Sequence, residues 1–369
     1  MEFRTFVPEW IRTLQAYPPG KPIEELEREL GIRDSIKLAS NENPLGPSPR
    51  AVQAVAAALQ GVHRYPDGSA FFLGRRLAER HGVSPEQIMV GNGSNELIEL
   101  VVRTFLRPGD EAVMADQAFV VYKLVTQAVG GTPRTIPLRA FTHDTEAIVD
   151  AVTPRTRLVF LANPNNPTGT IFRRDEWRGL LEALRGRQVL VVADDAYAEF
   201  VDDPGYPDTI GDRGDGAVPV ITLRTFSKLF GLAGLRIGYA VGPAAIIEVM
   251  SRIRQPFNVN LLAQVGASAA LDDTAHISAT LENNRTGMAM LCAAFERLGL
   301  AFVPSHANFV MVRVGPGARL YDALLRRGVI VRPMDFYGFP EHLRVTIGLA
   351  AENQRFVDTL EMVLREHRS

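Results

Sequence analysis

The sequence predicts an α/β fold with a mainly parallel central sheet covered by helices on both faces, followed by a smaller α+β domain. Between about residues 48 and 250, apolar β-type runs alternate with helical patterns, which is typical of parallel strands joined by helices. Several of these runs are continuously apolar, as expected for strands covered on both faces. Beyond about residue 256, a long helical stretch precedes short strands and a closing amphipathic helix, which indicates a second domain.

Length and composition agree with two domains. The chain has 369 residues, of which 46% are hydrophobic, so it can bury a sizeable core. Residues 1–47 are predicted to form an N-terminal arm and linker that packs with the small domain. We predict a large α/β domain over residues 48–255 and a small α+β domain over residues 256–369.

Local signals predict the individual elements. Ser48 as N-cap and Pro49 in the first turn begin a helix that Gly61 ends. Strands of the large domain are predicted at residues 87–90, 111–115, 157–162, 188–193, 218–223 and 237–241. In the small domain, a helical stretch is predicted at residues 261–298 and strands at residues 308–314, 328–331 and 342–347. Because ligands of open α/β sheets bind at the carboxyl ends of the strands, a site is expected there.

The composition excludes several classes of partner. Lys and Arg total 40 against 42 for Asp and Glu, and the formal net charge of -2 gives no overall attraction to nucleic acid or to an anionic membrane. No apolar run is long enough to cross a bilayer, and the N-terminus lacks the apolar stretch of a signal peptide. We therefore predict a cytoplasmic protein that acts on small molecules. The single Cys292 and the scattered histidines argue against a disulfide and against a metal site.

The segment Thr225-Phe226-Ser227-Lys228, followed by Arg236, is the first candidate for chemistry. It directly follows a predicted strand, so its side chains emerge at a carboxyl end. A lysine there can form an imine with an aldehyde cofactor, and two hydroxyls and a guanidinium at short range suit a phosphate dianion. A turn with a solvated lysine is the alternative, and the neighbouring segments decide between the two.

Two other strands end in residues that suit the same kind of cofactor. Asp194 directly follows a predicted strand, where its carboxylate could pair with a protonated pyridine nitrogen, and Tyr197 could reach a ring hydroxyl. A helix cap is an equal alternative for Asp194. Asn166 lies in the loop after another strand, where its amide is suited to bind a phenolic oxygen. A turn alone would not require this combination of Asn and Pro residues.

A fourth segment, GNGSNE at residues 91–96, joins a predicted strand to a predicted helix. The helix is predicted to begin at about Leu97, so Ser94, Asn95 and Glu96 lie in the loop before it, where small residues followed by free backbone N–H groups at a helix N-terminus form a phosphate seat. A Walker loop would need Gly-Lys-Ser/Thr at its end. A dinucleotide-binding loop would need a third glycine where Glu96 stands.

Together these segments resemble the fold-type I pyridoxal-5′-phosphate (PLP) aminotransferases, and more closely the histidinol-phosphate aminotransferase family. The resemblance covers nearly the whole chain. The superfamily motifs are NNPTG at residues 165–169, D-x-A-Y at 194–197 and S-K at 227–228. The narrower assignment rests on NENPLGPSP at residues 41–49, RYPD at 64–67 and LRVTIG at 343–348. One departure is visible, because the family often reads D-E-A-Y where this chain has Asp195.

The resemblance implies a role for each candidate. Lys228 would hold PLP as a Schiff base and then move a proton between the substrate and the cofactor. Asp194 would hold the pyridinium, while Asn166 and Tyr197 would bind the ring oxygen. The cofactor phosphate would be bound by Ser94, Asn95, Thr225, Ser227 and Arg236, and by Tyr65 of the partner subunit, and Glu96 is also counted among the cofactor-binding residues. Phe119 would stack on the cofactor, with a buried core position as its alternative.

The substrate residues also follow from the resemblance. Arg344 corresponds to a carboxylate-binding arginine, and Arg332 to a second arginine for the substrate phosphate, with a surface position as its alternative. Tyr17, in an arm that closes over the site in relatives, and Asn43 are predicted to contact the substrate. Two guanidinium groups suit a phosphate dianion in one half-reaction and the two carboxylates of glutamate in the other.

The resemblance therefore implies a homodimeric enzyme that transfers an amino group between histidinol phosphate and 2-oxoglutarate in histidine biosynthesis. An aromatic amino acid aminotransferase is the first alternative, and it would use Arg344 with an apolar pocket. A threonine-phosphate decarboxylase is a second and weaker one. A non-catalytic PLP-binding regulator is disfavoured, because the chain has no additional basic helix-turn-helix segment.

Overall fold

The computed structural model describes residues 6–16, 20–212, 214 and 216–368, and all elements named below lie within them. The helices are α1 (Glu9–Arg12), α2 (Ile23–Leu30), α3 (Pro49–Ala58), α4 (Phe71–His81), α5 (Ser94–Phe105), α6 (Val121–Ala128), α7 (Thr145–Asp150), α8 (Arg174–Ala183), α9 (Ala244–Ser251), α10 (Leu261–Ala270), α11 (Thr274–Arg297), α12 (Gly317–Leu325) and α13 (Ala350–Arg368). The strands are β1 (Ile36–Lys37), β2 (Ile88–Gly91), β3 (Glu111–Ala115), β4 (Thr132–Ile136), β5 (Thr156–Ala162), β6 (Leu190–Asp194), β7 (Val220–Thr225), β8 (Gly238–Val241), β9 (Phe302–Val303), β10 (Phe309–Arg313), β11 (Val329–Ile330), β12 (Arg332–Pro333) and β13 (His342–Thr346).

The central sheet of the described residues has seven strands in the order β2-β8-β7-β6-β5-β3-β4. The pairs from β4 to β7 are parallel, and β8 is antiparallel to both of its neighbours. Every residue of β3 and of β6 is buried, in agreement with sequences that are apolar except for one carboxylate at an end of each strand. The predicted mainly parallel sheet is therefore confirmed.

Helices cover both faces of this sheet. On one face, α5, α6 and α9 pack through a cluster that includes Leu97 and Tyr122. On the other face, α8 packs through Trp177, and α4 and α10 pack through a cluster that includes Leu77 and Ala267. Each face thus has an apolar core, and the strand ends remain open for a site. None of the helices in the described part of the chain is long and apolar enough to cross a membrane.

A smaller antiparallel sheet, in the order β12-β13-β10-β9, follows in the chain. It packs against α11, α12 and α13 through a cluster that includes Leu291, Leu320 and Phe356. The N-terminal segment joins this region, because β1 pairs in parallel with β11 and Leu26 of α2 packs against Ile330. This region has the α+β character that the sequence predicts.

The predicted domain boundaries stay a prediction, although the packing of α10 bears on one of them. Ala263 and Ala267 of α10 are fully buried in the same cluster as Tyr239 of the central sheet. The prediction assigned α10 to the small domain. Its packing favours a boundary after α10 rather than at residue 255.

Several details differ from the predicted elements, among them the short strands β1, β9 and β12, which were not predicted. The helical stretch predicted at residues 261–298 is two helices, because Asp273 caps α11 by accepting a hydrogen bond from the backbone N–H of His276. Ser48 donates to the same carboxylate at 2.6 Å, which ties the break to the start of α3. Strand β4 was not predicted: it lies at the edge of the sheet, contains Pro133 and has no buried residue.

Candidate active site

A cavity of about 320 Å³ lies at the carboxyl ends of β5, β6 and β7, between the central sheet and the small sheet. Six segments from distant parts of the chain surround it, together with Gly20, Tyr337 and the strands β12 and β13. Twelve of the predicted site residues line the cavity: Ser94, Asn95, Phe119, Asn166, Asp194, Tyr197, Thr225, Ser227, Lys228, Arg236, Arg332 and Arg344. The structure therefore brings together the residues that the separate motifs carry.

Lys228 follows β7, and its Nζ donates a hydrogen bond to the backbone oxygen of Ser40 at 3.0 Å. Its ammonium lies 5.8 Å from the centroid of the Tyr197 ring. Burial lowers the pKa of Lys228 to about 8, and the positive charges of Arg344 and Arg236 act in the same direction. The neutral amine, which a nucleophile or a general base requires, is consequently far more abundant at neutral pH than in an ordinary lysine.

Asp194 is the last residue of β6 and is held from two sides. The hydroxyl of Tyr122 donates to its Oδ2 at 2.5 Å, and the backbone N–H of Ala196 donates to its Oδ1 at 3.2 Å. Burial raises the pKa of Asp194, while the Tyr122 hydrogen bond and the charge of Lys228 oppose that rise. The carboxylate is thus oriented in a dry part of the cavity, where it can pair with a cationic group.

On another side of the cavity, hydrogen bonds join the central sheet to the small sheet. Nη1 of Arg344 donates to Oδ1 of Asn166 at 2.5 Å, and its Nη2 donates to the backbone oxygen of Ala39 at 2.8 Å. Nδ2 of Asn41 donates to the hydroxyl of Tyr197 at 2.8 Å. Burial raises the pKa of Tyr197 to about 12, so this hydroxyl stays protonated and can donate to a ligand oxygen.

The groups around the N-terminus of α5 suit an anion. Gly93 has a φ of 81°, and a Cβ at this position would collide with the guanidinium of Arg236, which is therefore packed against the loop. Thr225 Oγ1 accepts a hydrogen bond from the backbone N–H of Ser227 at 3.1 Å. A guanidinium, two hydroxyls and a helix N-terminus at one edge of the cavity match a phosphate dianion.

Three of the predicted site residues that the structure describes do not line the cavity, and a fourth predicted residue is not described. Glu96 accepts hydrogen bonds from the backbone N–H of Asn92 at 2.5 Å and from Nδ2 of Asn258 at 2.6 Å, and so braces the loop. Asn43 donates to the backbone oxygen of Leu229 at 2.9 Å, next to Lys228 in the chain. Tyr65 is 82% exposed. Tyr17 lies outside the described residues.

Several residues of the cavity were not predicted, among them Asn41, Tyr122 and Tyr337. Asn41 opens the NENP motif, so the motif could have indicated it. Tyr122 lies one helical turn after Phe119 and could have been found from that spacing. Tyr337 lies in a short turn of the small domain, and we find no sequence signal that indicates it.

The chain matches the model of the family described as aminotransferase class I and II over residues 33–360. It is 48% identical to the histidinol-phosphate aminotransferase of Moorella thermoacetica, over 96% of this chain and 92% of the relative. It is 49% identical to histidinol-phosphate aminotransferase 1 of Nitrosococcus oceani, over 97% of this chain and 96% of the relative. The crystal structure of histidinol-phosphate aminotransferase from Sinorhizobium meliloti in complex with pyridoxal-5′-phosphate is 28% identical and covers 98% of each chain with a TM-score of 0.87. The chain therefore belongs to the class I and II aminotransferases and, within them, to the histidinol-phosphate aminotransferase family.

Proposed function

We propose that the protein transfers an amino group between histidinol phosphate and 2-oxoglutarate, with PLP as its cofactor, and so serves histidine biosynthesis. The observation that carries the proposal is the arrangement of charged groups around one cavity. A partly buried amine, a buried carboxylate and a cationic edge surround a space of about 320 Å³, and two further arginines lie on the side of the small sheet.

The residues present fit PLP, which has an aldehyde, a basic ring nitrogen and a phosphate. The aldehyde matches Lys228, the ring nitrogen matches Asp194, and the phosphate matches Arg236 with the N-terminus of α5. When bound, PLP supplies a cationic ring that takes up the electron pair left on the substrate carbon.

In this proposal each side chain has one task. Asp194, oriented by Tyr122, holds a proton at the ring nitrogen of the cofactor. The hydroxyl of Tyr197 donates a hydrogen bond to the ring oxygen, and the amide of Asn166 binds the same oxygen. Lys228 Nζ removes the proton from the substrate carbon that bears the amino group. It then delivers this proton to the carbon of the cofactor's aldehyde group. The lowered pKa of this lysine supports that exchange near neutral pH.

The two arginines of the small sheet support an anionic substrate. Arg332 of β12 and Arg344 of β13 are direct cross-strand partners, and they are only 8% and 6% exposed. Two like charges directly opposite each other destabilise a strand pair. A phosphate dianion, or the two carboxylates of glutamate, carries enough negative charge to pair with both guanidinium groups, whereas the carboxylate of an aromatic amino acid carries a single charge.

The test is a substrate panel with the purified enzyme and PLP. Histidinol phosphate should exceed phenylalanine by about 100-fold or more in kcat/KM, because a site built to bind a phosphate rejects a substrate that lacks one. Equal or better turnover of phenylalanine would instead support an aromatic amino acid aminotransferase. Release of carbon dioxide from threonine phosphate would support a decarboxylase.

The proposed enzyme is a homodimer. Large apolar side chains are exposed along α3, α4 and the segment between them: Val52, Leu59, Val62, Tyr65, Phe71 and Phe72. The ring of Tyr65 also stacks on that of Phe257, which is 45% exposed, with centroids 4.7 Å apart. Such a surface favours burial against a second copy, and we propose that Tyr65 then reaches the phosphate site of its partner. We also propose a cytoplasmic location, where glutamate is available as the amino donor.

Subunit mixing tests the dimer. Lys228→Ala and Tyr65→Ala should each be impaired alone. A mixture unfolded and refolded together should recover about a quarter of the wild-type activity, because half of the dimers are mixed and each has one intact site. If no activity is recovered, Tyr65 does not act across the interface.

A further inference from the structure

A second buried carboxylate directly follows Asp194. Asp195 is 0% exposed and is not among the residues that line the cavity. Its backbone N–H donates to the oxygen of Leu223 at 3.0 Å, so the ladder between β6 and β7 extends one residue beyond Asp194. Successive side chains of a strand point to opposite faces, and the two carboxylates accordingly have different neighbours.

The neighbours of Asp195 form a buried polar cluster between the two strand ends. Its Oδ2 accepts hydrogen bonds from Oγ1 of Thr209 at 2.7 Å and from Nη2 of Arg224 at 3.1 Å. The guanidinium of Arg224 also contacts Oε1 of Glu199 at 3.3 Å. Arg224 lies on β7, directly before Thr225. The ion pair thus joins the two strand ends one residue away from Asp194 and from Thr225.

This arrangement is a costly way to stabilise a fold. The Asp195 side chain is fully buried and that of Arg224 is 13% exposed, so both charges lose much of their hydration. Well-packed apolar residues in such a place commonly give equal or greater stability. The hydrogen bonds of the ion pair fix the distance and the direction between the two side chains. They therefore allow little sliding of β6 against β7. Any such slide would change the separation of the cavity residues at the two strand ends.

We propose that Asp195 and Arg224 are a positioning pair that fixes Asp194, the partner of the cofactor ring nitrogen, relative to Thr225 and Ser227 at the cofactor phosphate. Neither residue of the pair touches the cofactor in this proposal. The inference rests on the proposed function, since it requires one ligand that spans both strand ends.

Asp195→Asn tests the pair, because it keeps the side-chain shape and removes the charge. We expect the Kd of the apoenzyme for PLP to rise about tenfold and kcat to fall about 10- to 100-fold, since small displacements of reacting groups have effects of this size. The KM for glutamate should stay within about threefold, because the arginines of the small sheet are untouched. Asp195→Glu keeps a carboxylate and should bring the Kd back to within about threefold of the wild type.

Glu111→Gln is the matched control. The Glu111 side chain is 2% exposed and binds Arg155 at 2.7 Å, but it lies at the start of β3, the opposite end of the same sheet. Both variants should lower the Tm of the apoenzyme, and only Asp195→Asn should change the Kd for PLP and kcat.

Three outcomes separate the possibilities. A lower Tm with wild-type Kd and kcat in Asp195→Asn would overturn the positioning role. If Asp195→Asn does not fold, Thr209→Val is the second test, because it removes one hydrogen bond to Oδ2 of Asp195. Thr209→Val should raise the Kd for PLP about threefold, and an unchanged Kd would overturn the proposal. A wild-type enzyme that does not bind PLP would refute the proposed function instead.

Discussion

The two sheets contribute to the same cavity in different ways. The central parallel sheet supplies unlike groups from the ends of its strands and the loops after them, among them Asp194, Asn166 and Lys228. The small antiparallel sheet supplies two like groups, Arg332 and Arg344, from within neighbouring strands. Loops can direct different side chains towards one point, whereas a strand ladder fixes the spacing of two equivalent ones. We infer that the central sheet serves the cofactor and the small sheet serves the substrate.

The largest effect should come from Lys228→Ala, which removes the group that takes the proton from the substrate carbon. We expect kcat to fall about 10⁴-fold. The absorption band of the bound cofactor should change as well, which difference spectra will detect. Lys123→Ala is the control. It removes an ion pair between Lys123 of α6 and Asp116, and it should retain its activity. A fully active Lys228→Ala variant would contradict the assignment.

A smaller loss is expected when the acid of the central sheet is altered. Asp194→Asn should lower kcat about 100-fold, because the ring nitrogen loses the charge that keeps it protonated. Tyr122→Phe keeps Asp194 and removes one hydrogen bond to it, and kcat should fall only about threefold to tenfold. If both variants had near-normal turnover, Asp194 would not be the partner of the ring nitrogen.

Replacing an arginine of the small sheet tests whether that sheet serves the substrate rather than the cofactor. Arg332→Gln should lower kcat/KM for histidinol phosphate about 10- to 100-fold, as expected for the loss of a charge-assisted hydrogen bond. The Kd for PLP should stay within about threefold. Arg313→Gln, on β10 of the same sheet, disrupts an exposed ion pair with Glu341 and should have no effect on either quantity. A large change in the Kd for PLP in Arg332→Gln would show that the two sheets do not divide the tasks.

The pH dependence of cofactor uptake links the two sheets. The neutral amine of Lys228 reacts with the aldehyde, so the uptake rate of the apoenzyme should rise with pH and level off above about 8, the pKa of Lys228. Arg344→Gln removes a positive charge that lowers this pKa, and the midpoint should therefore move to higher pH. Stopped-flow absorbance measures both, and equal midpoints in the two proteins would exclude a coupling between them.

The same pKa has a consequence for stability. Because the folded apoenzyme holds the Lys228 proton less tightly than the unfolded chain does, stability is complete above pH 10.5 and decreases as the pH falls towards 8. Lys228→Met should therefore be more stable than the wild-type apoenzyme at pH 7, by about 1–3 kcal/mol. Urea denaturation measures the difference, and a less stable variant would contradict the lowered pKa.

The sequence predicted the parts of the fold in which one pattern dominates. The strands β3, β5 and β6 are apolar except at one end because both faces are covered, and each was predicted to within two residues. The edge strand β4 was missed, since a half-covered strand with a proline has no such pattern. The break between α10 and α11 depends on Ser48, far away in the chain, and a local pattern cannot reveal that contact.

For the candidate site, the sequence predicted which residues follow a strand, but it did not predict where every side chain points. Asp194, Asn166 and Lys228 were predicted because a strand end determines where a side chain emerges. Glu96 was included for its place in a loop, yet its carboxylate is bonded within the loop and to Asn258. The spacing from Phe119 could have indicated Tyr122 as a cavity residue, but its contact with Asp194 depends on the tertiary packing of α6 on the sheet, which no local pattern encodes.

The cross-strand pair of Arg332 and Arg344 has a practical consequence at the bench. Two facing cations will attract any small dianion in solution, so inorganic phosphate or sulfate should compete with the substrate and raise its apparent KM. Those salts should also raise the melting temperature, because a ligand that binds only the native state stabilises it. Kinetic constants are therefore best determined in buffers of monovalent anions.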